Sequence, residues 1–179
     1  MDNLPDQINE KLRFILGRRS IRVCAPGAIA ESQITQLLQA AMSAPSAVGC
    51  DPWRFVVVRQ REKLTALAQV LTYGKMLNTA PLAFIVCGDL EAAHDRQLSY
   101  LLQDCSAAIE NLLLAAHALG LGACWLGVHP RAERIQQIKE LFSLPPTVVP
   151  VSAIAVCHPG ETKEPRTRFN RDYVHWETW

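Results

Sequence analysis

The chain has 179 residues, 49% of them hydrophobic and 20% charged, with 18 Lys+Arg against 17 Asp+Glu and a formal net charge of +1. This length suits one domain, 1–179, that buries about two-thirds of its unfolded surface. Near-neutral charge argues against a nucleic-acid partner, whose phosphate backbone demands a broad basic footprint. No uncharged apolar run reaches the roughly 18 residues of a membrane span.

The start, MDNLPDQINE, is acidic and polar, which argues against a secretory signal and for a cytoplasmic home. A helix-like apolar run gives out at Gly17 and is followed at once by RRSIR. Residues 31–44 place Ile34, Leu37, Leu38, Ala41 and Met42 at helical spacing until Pro45 stops them. RFVVVR, 54–59, is short and β-branched and reads as a buried strand. Residues 61–71 read as helix and PLAFIVCG, 81–88, as a second strand. The strongest period runs from Gln97 to Gly120, a broad apolar face on a helix of about 34 Å, with Gly120 as its C-terminal cap. ACWLGV, 123–128, is a third strand and 131–142 an amphipathic helix. VVPVSAIAVC, 148–157, is a fourth strand, whose Pro150 suggests an edge or an irregular start. The remainder is polar, basic and aromatic, and Trp176 and Trp179 imply that it docks somewhere. Helices alternating with strands predict an α/β or α+β domain with its sheet covered on both faces.

The six cysteines, at 24, 50, 87, 105, 124 and 157, form no C-x-x-C pair and sit mostly in apolar runs. They read as small buried hydrophobes in a reducing compartment, and neither they nor the five histidines have the spacing of a metal site. GLGACWLG follows a helix and precedes a strand, the reverse of a dinucleotide fingerprint. There is no nucleophile elbow and no histidine beside a reactive serine or cysteine, so side-chain acid–base or nucleophilic catalysis has little support.

The basic residues say more. Four of the 18 fall between Arg13 and Arg22, and EPRTRFNR adds Arg166, Arg168 and Arg171. Either cluster alone reads as well as a solvated surface. Two clusters in a charge-balanced chain point instead to a phosphate-bearing ligand, because guanidinium groups present paired donors and stay charged. Between helix and strand, APSAVGCDPWRF uses Pro45, Gly49 and Pro52 to make a tight loop whose small residues admit something flat. Trp53 reads as core.

In that order, RRSIR, PSAVGCDPWRF, APLAFIVCGD, QDCSAAIENLLLAAHALGLGACWLG and PRTRFNRDYVHWETW resemble the nitroreductase family of FMN-dependent oxidoreductases over nearly the whole chain. The resemblance implies an α+β homodimer with a central mixed or antiparallel sheet flanked by helices. It further implies two FMN sites at the subunit interface and a domain-swapped C-terminal arm, 160–179, on the partner. Arg18 and Ser20, with Arg19 in the same motif, would hold the FMN phosphate together with Arg166 and Arg168. Arg22 and Lys75 would face the pyrimidine end of the flavin. Pro45, Ser46, Ala47 and the 49 position would come from the other subunit, and Gly127 and Val128 would lie near flavin N5. NAD(P)H would deliver hydride and a small electron acceptor would collect it in the same slot, with no catalytic side chain required. Gly49 and Asp51 stand where the family usually has Asn and Gln. An FMN-binding protein without reductase turnover, or a structural module with solvated arginines, are the rival readings.

Overall fold

In the computed structural model, which describes residues 9–179, five strands share one sheet. They are β1 (Cys24–Ala25), β2 (Trp53–Val58), β3 (Leu82–Asp89), β4 (Gly122–Gly127) and β5 (Val148–Pro159). The helices are α1 (Glu10–Gly17), α2 (Glu31–Ala41), α3 (Arg61–Val70), α4 (Leu98–Ala118) and α5 (Ala132–Phe142). Residues 1–8, where the acidic start was read, lie outside the described residues.

Every ladder between these strands is antiparallel. β5 forms the centre, with β3 and then β2 on one side; β4 and the short β1 share its other side. Successive side chains of a strand point to opposite faces. Phe84, Val86, Ile154 and Val156 therefore meet α2 and α4, whereas Ala83, Ile85, Ala153 and Ala155 meet α3 and α5. Cover on both faces explains why β3 and β5 read as continuous apolar runs rather than alternating ones.

Local chemistry sets the boundaries. The Asn9 side chain accepts the Lys11 N–H at 2.9 Å and caps α1. α2 stops at Ala41, short of the expected 44: the Met42 amide still reaches Leu38, but the two beyond it reach back only three residues, Ser43 to Ala40 and Ala44 to Ala41. Pro45 disfavours a helical residue before it, which closes the run there. Gly120 adopts φ +69° just after α4, the left-handed cap its sequence position predicts.

One expectation resolves and another fails. Pro150 suggested an edge or an irregular start; it lies in the central strand, and the irregular start is real. Val86 pairs with Ser152 but Cys87 with Pro150, so Val151 bulges out and its carbonyl accepts the N–H groups of Val128 and His129 at 3.2 and 3.1 Å. The cysteines are not all free: Cys24 and Cys157 form a disulfide with a Cα–Cα separation of 5.6 Å. They lie 133 residues apart, and only the pairing of β1 with the end of β5 brings them together. Cys87, Cys105 and Cys124 are buried free thiols and Cys50 is half-buried.

Candidate functional site

The chain leaves α1 at Arg18 with φ −63° and ψ 123°, and runs extended through RRSIR. Ser20 makes a parallel bridge to Ala123 and the Ile21 N–H donates to the Ala123 carbonyl at 3.0 Å, so this segment lies along the outer edge of β4. Gly122 permits the approach. A Cβ there would sit 2.7 Å from Ile21 Cγ2, well inside contact distance.

At the other end of the chain, Gly160 to Lys163 fold back on the same segment. The Gly160 N–H donates to the Val23 carbonyl at 2.8 Å. Glu161 Oε1 accepts the Arg22 and Val23 amides at 2.6 and 3.2 Å and pairs with Lys163 Nζ at 2.9 Å. Lys163 in turn donates to the Ser20 carbonyl at 2.8 Å, and the Arg19 guanidinium donates to the Glu164 carbonyl. These donors hold the Glu161 carboxyl at about 2, far below its usual value, the Arg22 amide contributing most.

The result is a cradle. Arg18, Arg19, Ser20, Arg22, Arg166 and Arg168 line one cavity of about 350 Å³, floored by Ile15 and Leu16 from the end of α1. No acidic residue lies among those described as lining it. Arg168 and then Arg19 push the Arg166 guanidinium down from its ordinary value, since like charges at close quarters disfavour the cation. Such a site is an anion receptor: paired guanidinium donors, one hydroxyl, and a repulsion that a multiply charged guest relieves.

Arg22 also lines a second cavity of about 250 Å³, with Tyr73, Trp125, Gly127 and Arg134. Arg134 spans it, donating to the Gly127 carbonyl at 3.1 Å and to Thr72 Oγ1 at 2.9 Å. The Val128 N–H is committed to Val151, and Val128 itself is fully buried. Antiparallel pairs alternate between bonded and non-bonded, so Gly127, opposite Ser152, turns its N–H away from β5. Gly127 rather than Val128 therefore offers an amide at this edge.

The remaining expected residues stand apart. Lys75, exposed on a 3₁₀ turn at Lys75–Asn78, is not among the described residues lining either cavity. Nor are Pro45, Ser46, Ala47 and Gly49. Their loop is held from within: Ser46 Oγ donates to Asp51 Oδ1 at 2.5 Å and accepts the Asp51 amide at 3.0 Å. The Ala47 N–H donates to Asp104 Oδ1 at 2.9 Å. Val48, Gly49 and Asp51 have φ of +47°, +71° and +50°, a costly set for two non-glycine residues.

Sequence reasoning missed Glu161, Lys163, Asp104 and Arg134. Asp104 had a signal, being the acid inside the apolar face of α4 and only 5% exposed. Glu161 and Lys163 had none beyond their place between the strand and the second arginine cluster.

The nitroreductase family model matches residues 15–72 and 66–158, which together hold the RRSIR segment, the loop, the sheet and α4. The chain belongs to the nitroreductase family. An Archaeoglobus fulgidus protein, provisionally named NADH dehydrogenase/NAD(P)H nitroreductase, is 43% identical over 96% of this chain and 100% of its own. A solved structure under the same provisional name, from Parabacteroides distasonis, is 34% identical with a TM-score of 0.90, covering 96% of this chain and 100% of that one. A structure from Desulfovibrio desulfuricans, titled as a provisional nitroreductase in complex with FMN, is 32% identical with a TM-score of 0.82, covering 97% and 99%. The nitroreductase fold and the α+β class are thus shown for this chain. Among the described residues no helix is long and apolar enough to cross a membrane.

Proposed function

We propose that this nitroreductase-family protein is an FMN-dependent oxidoreductase that takes reducing equivalents from NAD(P)H and passes them to a small oxidising substrate. Nitroaromatics, quinones, enones and free flavin are the acceptor classes. The observation that carries this reading is the convergence of Arg18, Arg19, Ser20 and Arg22 with Arg166 and Arg168 on one cavity. Their donor chemistry fits a phosphate monoester, and the cavity shares Arg22 with the neighbouring aromatic-edged slot. A cofactor with an anionic tail and a flat ring system matches that pair of spaces.

In this scheme the cradle holds the FMN phosphate, and Glu161 and Lys163 hold the cradle. Arg22, at the junction, places positive charge beside the ring system, where it favours the more negative, reduced form. The Gly127 N–H is the amide free to tune the ring, with Arg134 fixing the Gly127 carbonyl. When bound, FMN supplies the hydride acceptance and release, with NAD(P)H and the acceptor using one slot in turn. The protein contributes position and electrostatics.

The working unit in this reading is a cytoplasmic homodimer. The tail leaves Phe169, Tyr173, Trp176 and Trp179 largely exposed on a single protomer, which a second copy would cover. The loop Pro45–Gly49, which does not line the cradle of its own chain, would then complete the partner's site. The protein should purify yellow and its visible flavin band should bleach anaerobically on addition of NADH or NADPH, recovering with a nitroarene or quinone. A colourless protein that leaves added FMN fluorescence unchanged refutes it. Bound FMN that neither nicotinamide bleaches favours the second reading, a flavin binder without turnover. The lock of Ser46 on Asp51, beside a Gly49 with no side chain to offer, is the observation on that side.

A further inference from the structure

The two halves of the cradle come from chain segments about 140 residues apart, and what joins them is uneven. β1 pairs with β5 through only two residues, Cys24 with Pro159 and Ala25 with His158. The other direct ties are the hydrogen bonds between residues 19–23 and residues 160–164, all at or near the surface, and the first segment is docked on β4 only through Ser20 and Ile21 at Ala123. Against them stands the mutual repulsion of Arg19, Arg166 and Arg168. One covalent link remains, the Cys24–Cys157 disulfide, at the root of both segments: Arg22 lies two residues before Cys24, and Glu161 four residues after Cys157.

We infer that the Cys24–Cys157 disulfide is the positioning element of the arginine cradle, so that the affinity of the cradle for a phosphate-bearing ligand depends on thiol redox state. The identity of that ligand as FMN rests on the function proposed above. The reductant is a dithiol. Its thiolate attacks Sγ of half-buried Cys24, the S–S bond breaks, and Cys157 leaves as a thiolate that takes up a proton. The second thiol then displaces Cys24, leaving two protein thiols and one disulfide on the reductant. Freed of the link, the segments sample arrangements in which the arginines stand apart. If the competent arrangement is then populated about one-tenth of the time, the apparent Kd rises about tenfold.

The test titrates FMN, by fluorescence quenching, into the full chain oxidised in air, into the same sample after dithiothreitol, and into the double variant Cys24→Ser, Cys157→Ser. Peptide mapping under non-reducing conditions reports the bond. The expected result is a Kd about tenfold higher after dithiothreitol, restored on reoxidation, with the double variant weak and indifferent to reductant. An unchanged Kd when two extra thiols are counted overturns the inference. So does an air-oxidised protein in which both cysteines are free. Loss of the far-ultraviolet helical signal on reduction also overturns it, because the bond then holds the whole fold rather than the cradle. If the oxidised chain ignores FMN, the flavin reading has failed by itself, and the oxidised-to-reduced affinity ratio for inorganic phosphate, by calorimetry, decides the present inference.

Discussion

Glu161 offers the most direct check on how the cradle is held. Its carboxyl lies at about 2 in the folded chain against an ordinary value of 4.5. A difference of that size corresponds to at most about 3 kcal/mol of stability. The side chain is 23% exposed, so water screens part of this, and about 1–2 kcal/mol is the reasonable expectation. Because the folded value is depressed, the contribution is complete above the unfolded value and disappears as pH falls toward the folded one. Glu161→Gln keeps an oxygen for the Arg22 and Val23 amides but gives up the charge and the Lys163 pair. At about pH 7 the variant should melt about 2–8 °C below the wild type. The gap should narrow from about pH 5 downward and close near pH 2, in paired calorimetric scans of the two proteins. FMN affinity at neutral pH should fall in parallel, since Arg22 loses its anchor. A gap that is absent at neutral pH, or that stays constant into acid, refutes the assignment of Glu161 as an ionised brace.

Further consequences are equally open to measurement. Arg166→Ala should weaken FMN binding by about 10- to 100-fold while leaving the melting temperature within a degree or two, as expected for one charge-assisted contact; an unchanged Kd places the phosphate elsewhere. Gly122→Ala should cost about 1–3 kcal/mol of stability and also reduce FMN affinity, because its Cβ would drive Ile21 and the RRSIR segment off β4. Wild-type stability would mean that the close approach is relaxed in solution. A thiol-reactive dye on the native oxidised protein should label Cys50 alone at neutral pH, since burial pushes the Cys87 and Cys105 thiols up to about 12 and raises that of Cys124. Rapid loss of more than that thiol would show the core to be open.

What the sequence made legible follows from locality. α4 was readable because its burial partners recur every three or four residues, and β3 and β5 because they are continuously apolar and bounded by prolines and glycines. The two arginine clusters stood out against a charge-balanced chain, and the structure brings Arg18, Arg19 and Arg22 to one cavity with Arg166 and Arg168, though Arg13 and Arg171 are not among its lining residues. Strand order was not readable, since pairing is set by contacts between distant segments; hence Pro150 left an edge strand and an irregular start both open, and only the ladders make β5 central. The Cys24–Cys157 bond was hidden for the same reason. Glu161 was invisible because an acid between basic residues is ordinary on a surface, and only the amides of Arg22 and Val23 give it a task. The loop at 45–49 was legible as a tight loop of small residues, but its place in a partner's site, like the role of Lys75, came from resemblance alone, and within one protomer neither lines the cradle.

The place of β5 bears on how the molecule is assembled during synthesis. It is the last strand to be made, yet β1, β3 and β4 all wait for it, so the sheet stays open until nearly the whole polypeptide has emerged. Until then the apolar rims of β3 and β4 are bare and prone to stick to other nascent chains. A ribosome that stops even a dozen codons before Pro159 would release not a shortened enzyme but a chain without its keystone.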